Sequence, residues 1–218
     1  MAELRLLLVR HGESEANHER RMQGRLDSPL TQRGRRQAGA IATRIAAMRQ
    51  LDALYASPLR RAFDTARAIA AATSVAPISL PALMETDIGQ ATGISWDDFA
   101  ARWPQHASDI RRGTEHASWP DGESRRQLGE RAAHVIDDIV ARHPEPCTIA
   151  VVSHGGTLRW VVAHLMAGTP LAHPDHRFDN CAVTEVVLGH GAPLIACAND
   201  ATHLAEIEQE EAYADQVP

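Results

Sequence analysis

Three short apolar runs, each closed by a turn signal, constrain the fold of this chain more than any other feature. They are Leu4 to Val9, Asp52 to Ala56 and Thr148 to Val152. Continuous rather than alternating hydrophobicity marks a strand buried on both faces. The turn signals are Gly12, Ser57-Pro58 and Gly155-Gly156. Beyond them apolar residues recur at helical spacing: Ala38, Ile41, Ala42, Ile45 and Ala46; then Ala62, Ala66, Ile69 and Ala70; then Leu158, Val161, Val162 and Leu165. A further stripe, Leu128, Ala132, Val135, Ile136 and Ile139, precedes the third run, with Arg131, His134 and Asp138 on its opposite face. Strands alternating with such helices predict an α/β fold with a mostly parallel central sheet covered on both sides, a three-layer α/β/α sandwich. Ala182 to Leu188 and Pro193 to Ala198 read as closing strands.

The length of 218 residues suits one such domain, placed at residues 1–204. The periodicity weakens after Glu85, so residues 86–122 are expected to form an irregular, lid-like excursion with a short helix capped by Ser95. Its Trp96, Trp103 and Trp119 are expected to be packing anchors. Its Arg111 and Arg112 could face either substrate or water. Residues 205–218, carrying Glu206, Glu208, Glu210 and Glu211, read as an acidic C-terminal tail, a solvated helix or a frayed end.

A formal net charge of −6 argues against bulk attraction to nucleic acid or an anionic membrane, so an anionic substrate would need a local basic pocket. No apolar run approaches the ~20 residues that span a bilayer. The N-terminal apolar stretch is too short for a signal-peptide core. Cys147, Cys181 and Cys197 form no C-x-x-C pair, which fits a reducing compartment; a cytoplasmic location is expected.

In parallel sheets, ligands bind beyond the carboxyl ends of the strands. Arg10, His11 and Gly12 follow the first run; Ser57, Pro58, Leu59 and Arg60 the second; Ser153, His154, Gly155 and Gly156 the third. Two histidines and two arginines therefore fall on one rim, beside helix starts whose free N–H groups favour anions. This composes a phosphate site from separate segments, without a lysine-bearing P-loop. A neutral imidazole can attack phosphorus when one ring nitrogen is free and the other donates to a backbone carbonyl. A carboxylic acid must then protonate the departing alkoxide, and Glu85 is the candidate.

Blander readings compete. An isolated strand-end histidine more often satisfies a turn than reacts; Arg10, Asn17, Arg60 and His154 tip His11 the other way. Arg60 is assigned to phosphate by its position after the second strand, and its neighbour Arg61 to solvent. Asn17 could simply cap a turn. His173 and His176 read as a loop pair rather than metal ligands, because no further ligand stands at a convincing spacing. His106, His116 and His143 are expected to be exposed.

The ordered motifs resemble those of the histidine phosphatase superfamily, also called phosphoglycerate mutase-like. Arg10-His11-Gly12-Glu13 with Asn17, Gln23-Gly24 through Leu30-Thr31 and Gly34, and Ala56 to Ala62 with Thr65-Ala66 carry the likeness. So do Leu83-x-Glu85 with Gly89 and Gly93, Gly122-Glu123-Ser124, and Ser153-His154-Gly155-Gly156. The resemblance implies a phosphoglycerate mutase-like fold and His11 as the nucleophile that becomes phosphohistidine. Arg10, Arg60 and a protonated His154 would hold the phosphoryl oxygens, with Asn17 assisting and Gln23, Gly24 and Gly155 at the substrate. Glu85 would be the proton donor. The resemblance implies no metal or cofactor, a small phosphate ester as partner, and allows a homodimer. The acid loop departs from the family pattern: Glu85-Thr86-Asp87-Ile88-Gly89-Gln90-Ala91-Thr92-Gly93 lacks its aromatic residues and second glutamate. The resembling mutases carry a longer insertion before the second histidine and asparagine-serine after its His-Gly. Here Gly156-Thr157 follows, so hydrolysis is expected rather than mutase transfer. A catalytically silent phosphate-binding scaffold is the alternative of another class.

Overall fold

A computed structural model describes residues 3–48, 50–114, 116–169, 176–189 and 191–214, with side chains as far as residue 209. Its centre is a six-stranded sheet in the order β3-β2-β4-β1-β5-β6. The strands are β1 (Leu4–Arg10), β2 (Ala53–Ala56), β3 (Pro77–Ser79), β4 (Cys147–Ser153), β5 (Val183–Leu188) and β6 (Leu194–Asp200). β1 to β4 run parallel, and β5 and β6 close the sheet antiparallel. β3 has no counterpart among the expected strands. It is three residues long, partly exposed and opened by a proline, which only an edge tolerates.

The alternation of β1 builds both layers. Leu4, Leu6 and Leu8 pack with α6 (Arg125–Ala141) and α7 (Gly155–Ala167). Leu7 and Val9 pack with α2 (Gln32–Met48) and α3 (Arg60–Thr73) on the other face. Fully burying each such leucine stabilises the fold by about 2–3 kcal/mol before its entropy cost. A short α1 (Glu15–His18) follows the first strand, its capping box formed by Ser14 and Asn17.

The excursion is more ordered than its sequence suggests. It holds α4 (Trp96–Arg102), capped by Ser95, and α5 (Pro104–Arg112). Pro104 starts the second helix rather than breaking a pattern, because the first helical position needs no N–H. Phe99 and Ala107 are buried with Ile88 and Ala91 in a separate small core, against which Trp96, Trp103 and Trp119 pack. The Arg111 guanidinium lies 5.2 Å over the Trp96 ring, so it serves packing. The tail opens as α8 (Ala205–Ala214), whose Ile207 is buried in the α2/α3 layer. His143 is half-buried, with its Nε2 2.9 Å from the Tyr55 hydroxyl, contrary to the exposed position expected. Arg131 also leaves the solvent face assigned to it and turns inward, as described below. His173 lies outside the described residues.

Candidate active site

Strand register assembles the site. β1 and β4 pair with Arg10 opposite Ser153, so the next residue of each strand, His11 and His154, emerge side by side. β2 pairs with β4 through Ala56 and Val152, which brings Ser57 to the same rim. The two imidazole centroids are 5.1 Å apart. His11, His154 and Ser57 are all buried.

Hydrogen bonds fix the His11 tautomer. Nδ1 lies 2.7 Å from the Gly12 carbonyl, which can only accept, so Nδ1 carries the proton. Nε2 keeps its lone pair and accepts from Nε of Arg61 at 3.2 Å. Asn180 Nδ2 donates to the His11 carbonyl at 2.8 Å. Burial, then the charges of Arg61 and Arg10, push the His11 pKa well below its ordinary 6.5, holding the ring neutral.

His154 Nε2 sits 2.8 Å from Ser57 Oγ. Its buried Nδ1 has no hydrogen-bond partner among the described residues, and neither does buried Nε of Arg10. Such orphans are costly unless a ligand meets them. Arg10 Nη1 donates to the Phe178 carbonyl at 2.7 Å. Burial, Arg61, His11, Arg10 and Arg131 lower the His154 pKa well below 6.5, so the chain's own groups disfavour the protonated ring anticipated from sequence.

Arg61, not Arg60, faces the nucleophile. Arg61 is 1% exposed, and its Nη1 and Nη2 donate to the carbonyls of Leu26 and Gly24 at 2.6 and 2.8 Å. The Arg60 side chain is 60% exposed and pairs with Asp64. The two exchange roles because α3 begins at Arg60, and one residue turns a helix by about 100°. That turn sets Arg61 on the buried stripe with Ala62, Thr65, Ala66 and Ile69. Burial lowers the Arg61 pKa to about 10, and Glu85 and Asp27 oppose that shift.

Glu85 docks on the first turn of α7. Its Oε2 accepts the Gly156 N–H at 3.0 Å, and its Oε1 accepts the N–H groups of Thr157 and Thr86 at 3.1 and 3.0 Å. A Cβ on Gly156 would lie 2.4 Å from Oε1, so any side chain there would push the carboxylate from this seat. Gly155 packs beside the Arg10 side chain. Gln23, Gly24 and Asn17 bond to residues around the site, Gly24 through its carbonyl to Arg61. Gln23 Oε1 accepts from Ser14 Oγ, and Asn17 caps α1 while its Oδ1 receives Asn180 Nδ2 at 3.4 Å. Nothing local in the sequence points to Asn180, since its contact with His11 depends on the β1–β5 pairing.

A neutral strand-end imidazole between guanidinium groups, with a carboxylate within their field, defines an α/β enzyme of phosphoryl chemistry. The chain belongs to the histidine phosphatase superfamily (branch 1), whose sequence profile matches residues 6–201. It is 34% identical over 183 residues to the probable phosphoglycerate mutase GpmB of Enterobacter sp. (strain 638), covering 84% of each chain. It is 33% identical over 205 residues to the metal-independent phosphoserine phosphatase of Arabidopsis thaliana, covering 93% of this chain and 84% of that one. The structure of a mycobacterial glucosyl-3-phosphoglycerate phosphatase with VO3 superposes with a TM-score of 0.81 at 30% identity, covering 90% of this chain and 99% of that one.

Proposed function

We propose that the protein hydrolyses small phosphomonoesters through a phosphohistidine on His11. The observation that carries this reading is the unprotonated Nε2 of a neutral His11, its tautomer fixed by the Gly12 carbonyl and its lone pair facing Arg61 Nε, beside two buried nitrogens, Arg10 Nε and His154 Nδ1, that have no partner among the described residues. Nε2 forms a bond to phosphorus as the ester P–O bond breaks, and the Glu85 carboxyl gives its proton to the departing alkoxide. Water then attacks phosphorus, yields a proton to Glu85, and displaces the imidazole to release inorganic phosphate. Arg10 Nε and His154 Nδ1 are the donors for the phosphoryl oxygens, and the Arg61 guanidinium, beside the attacking nitrogen, offsets the negative charge of those oxygens. A bound dianion opposes the field of the arginines and favours protonated His154. No step needs a metal, in keeping with the name of the Arabidopsis relative.

Hydrolysis is preferred to mutase transfer because of Gly156-Thr157 after the second His-Gly and because two of the three relatives above are named as phosphatases. The name of the Enterobacter relative favours the mutase reading. The three cysteines are all free thiols, which supports a cytoplasmic location.

The test is a phosphate-release screen of metabolite esters in chelator, with a phosphoryl label followed on the protein. An alkali-stable, acid-labile label that His11→Ala abolishes together with turnover is expected. Efficient interconversion of 3- and 2-phosphoglycerate without phosphate release would replace hydrolysis by mutase transfer. A chain that neither labels nor hydrolyses is a scaffold.

A further inference from the structure

The Gly122-Glu123-Ser124 motif and Arg131 make no direct contact with the groups of the chemistry above, Arg131 acting on His154 only through its charge, yet both reach the segment that carries Glu85. Arg131 projects from α6, eight residues after Glu123, and grips it with both arms: Nε to Oε1 at 2.8 Å and Nη2 to Oε2 at 2.7 Å. Its remaining nitrogen, Nη1, donates to the carbonyls of Ala82 and Met84, both at 2.8 Å. Met84 is the residue immediately before Glu85. Glu123 completes the grip from the other side. Its N–H donates to the Asp87 carbonyl at 2.7 Å, and its Oε2 accepts the Asp87 N–H at 3.2 Å. A Cβ on Gly122 would lie 2.5 Å from the Asp87 carbonyl, so glycine is what lets the two strands of chain approach.

The bonds from this pair that reach the Glu85 segment fall on the backbone of Ala82, Met84 and Asp87, and none falls on the Glu85 carboxylate. Arg131 and Glu123 are mostly buried, at 18% and 9% side-chain exposure, where a paired fork of charged hydrogen bonds holds its geometry. α6 is a firm support for it, anchored by Leu128, Ala132, Val135, Ile136 and Ile139 in the sheet core. A surface arginine would need none of this; a buried one is worth its desolvation where it fixes a group whose placement matters.

We propose that Arg131, through Glu123 and the carbonyls of Ala82 and Met84, is the positioning residue that aims Glu85 at the leaving group. The inference rests on the proton-donor role given to Glu85. It predicts a defect confined to esters whose leaving group needs a proton.

The experiment is single-turnover phosphorylation of His11 by p-nitrophenyl phosphate and by glycerol phosphate, with Glu85→Gln as reference. Arg131→Met is expected to slow the alkyl ester by about a hundredfold while the aryl ester stays within about threefold. Arg131→Lys, which keeps the charge and loses the fork, is expected between wild type and Arg131→Met. Combining Arg131→Met with Glu85→Gln is expected to add little to Glu85→Gln alone, because both act on one step. Should Arg131→Met fail to fold, Glu123→Gln is expected to give the same selective loss. Folded variants that slow both esters equally, or full additivity with Glu85→Gln, overturn the inference. A Glu85→Gln variant that itself treats the two esters alike overturns the proton-donor role and the inference with it, and is seen before any Arg131 variant is made.

Discussion

Arg60 and Arg61 are adjacent in the chain and opposite in environment. Removing Arg61 takes away the charge beside Nε2 of His11 and uncaps the carbonyls of Leu26 and Gly24. Arg61→Ala is expected to lower kcat/KM by about a hundredfold or more, whereas Arg60→Ala, exposed and paired only along its helix, is expected to change it by less than about twofold. Steady-state kinetics on the two variants separates them; the reverse order would return the phosphate contact to Arg60. Position after the second strand favours Arg60 in the sequence, and only the helix start at Arg60 in the folded chain decides between the two. The stripe Ala62, Thr65, Ala66, Ile69 extends back to position 61 and not to position 60. His11, His154 and Arg10 were legible because each closes an apolar run. Asn180 and the Arg131–Glu123 pair were not, since their partners lie far along the chain and no local pattern marks them.

The first turn of α7 carries Glu85 on its backbone N–H groups, where the partial positive charge of a helix start favours a carboxylate. Gly156→Ala improves helix propensity yet drives a methyl group against Oε1. Its expected signature is unchanged or slightly raised thermal stability with activity on alkyl phosphates down by about tenfold or more, read by a melting curve and an initial-rate assay on the same sample. Retained activity would show that Glu85 works from a different seat. The same contrast of local and tertiary information governs which elements can be read from sequence. β1, β4, α2, α3 and α6 announce themselves through long apolar periods. β3 is too short and too exposed to do so. α5 is hidden because Trp103 and Pro104 resemble a break, although proline at a first helical position is a start.

Across the fold, burying two neutral imidazoles ties stability to pH. The folded chain holds His11 and His154 below their ordinary value of 6.5, so the unfolded chain binds more protons as the pH falls past 6.5. The contribution is complete above that value. Below it, each histidine withdraws stability at up to about 1.4 kcal/mol per pH unit until its own folded pKa is reached. Denaturant titrations between about pH 6.5 and 5.5, above the range where carboxylates titrate, are expected to show this slope, and His154→Gln is expected to reduce it by one histidine's share. A slope that His154→Gln leaves unchanged would mean that another group sets it.

The order β2-β4-β1 has a consequence in time. The strand that carries the second imidazole is synthesised after both of its neighbours and must slot between them. Until it does, His11 lacks the imidazole that lies 5.1 Å from it in the finished site. Turnover is therefore expected only after that gap in the sheet is filled, and its recovery during refolding sets an upper bound on the time of that insertion.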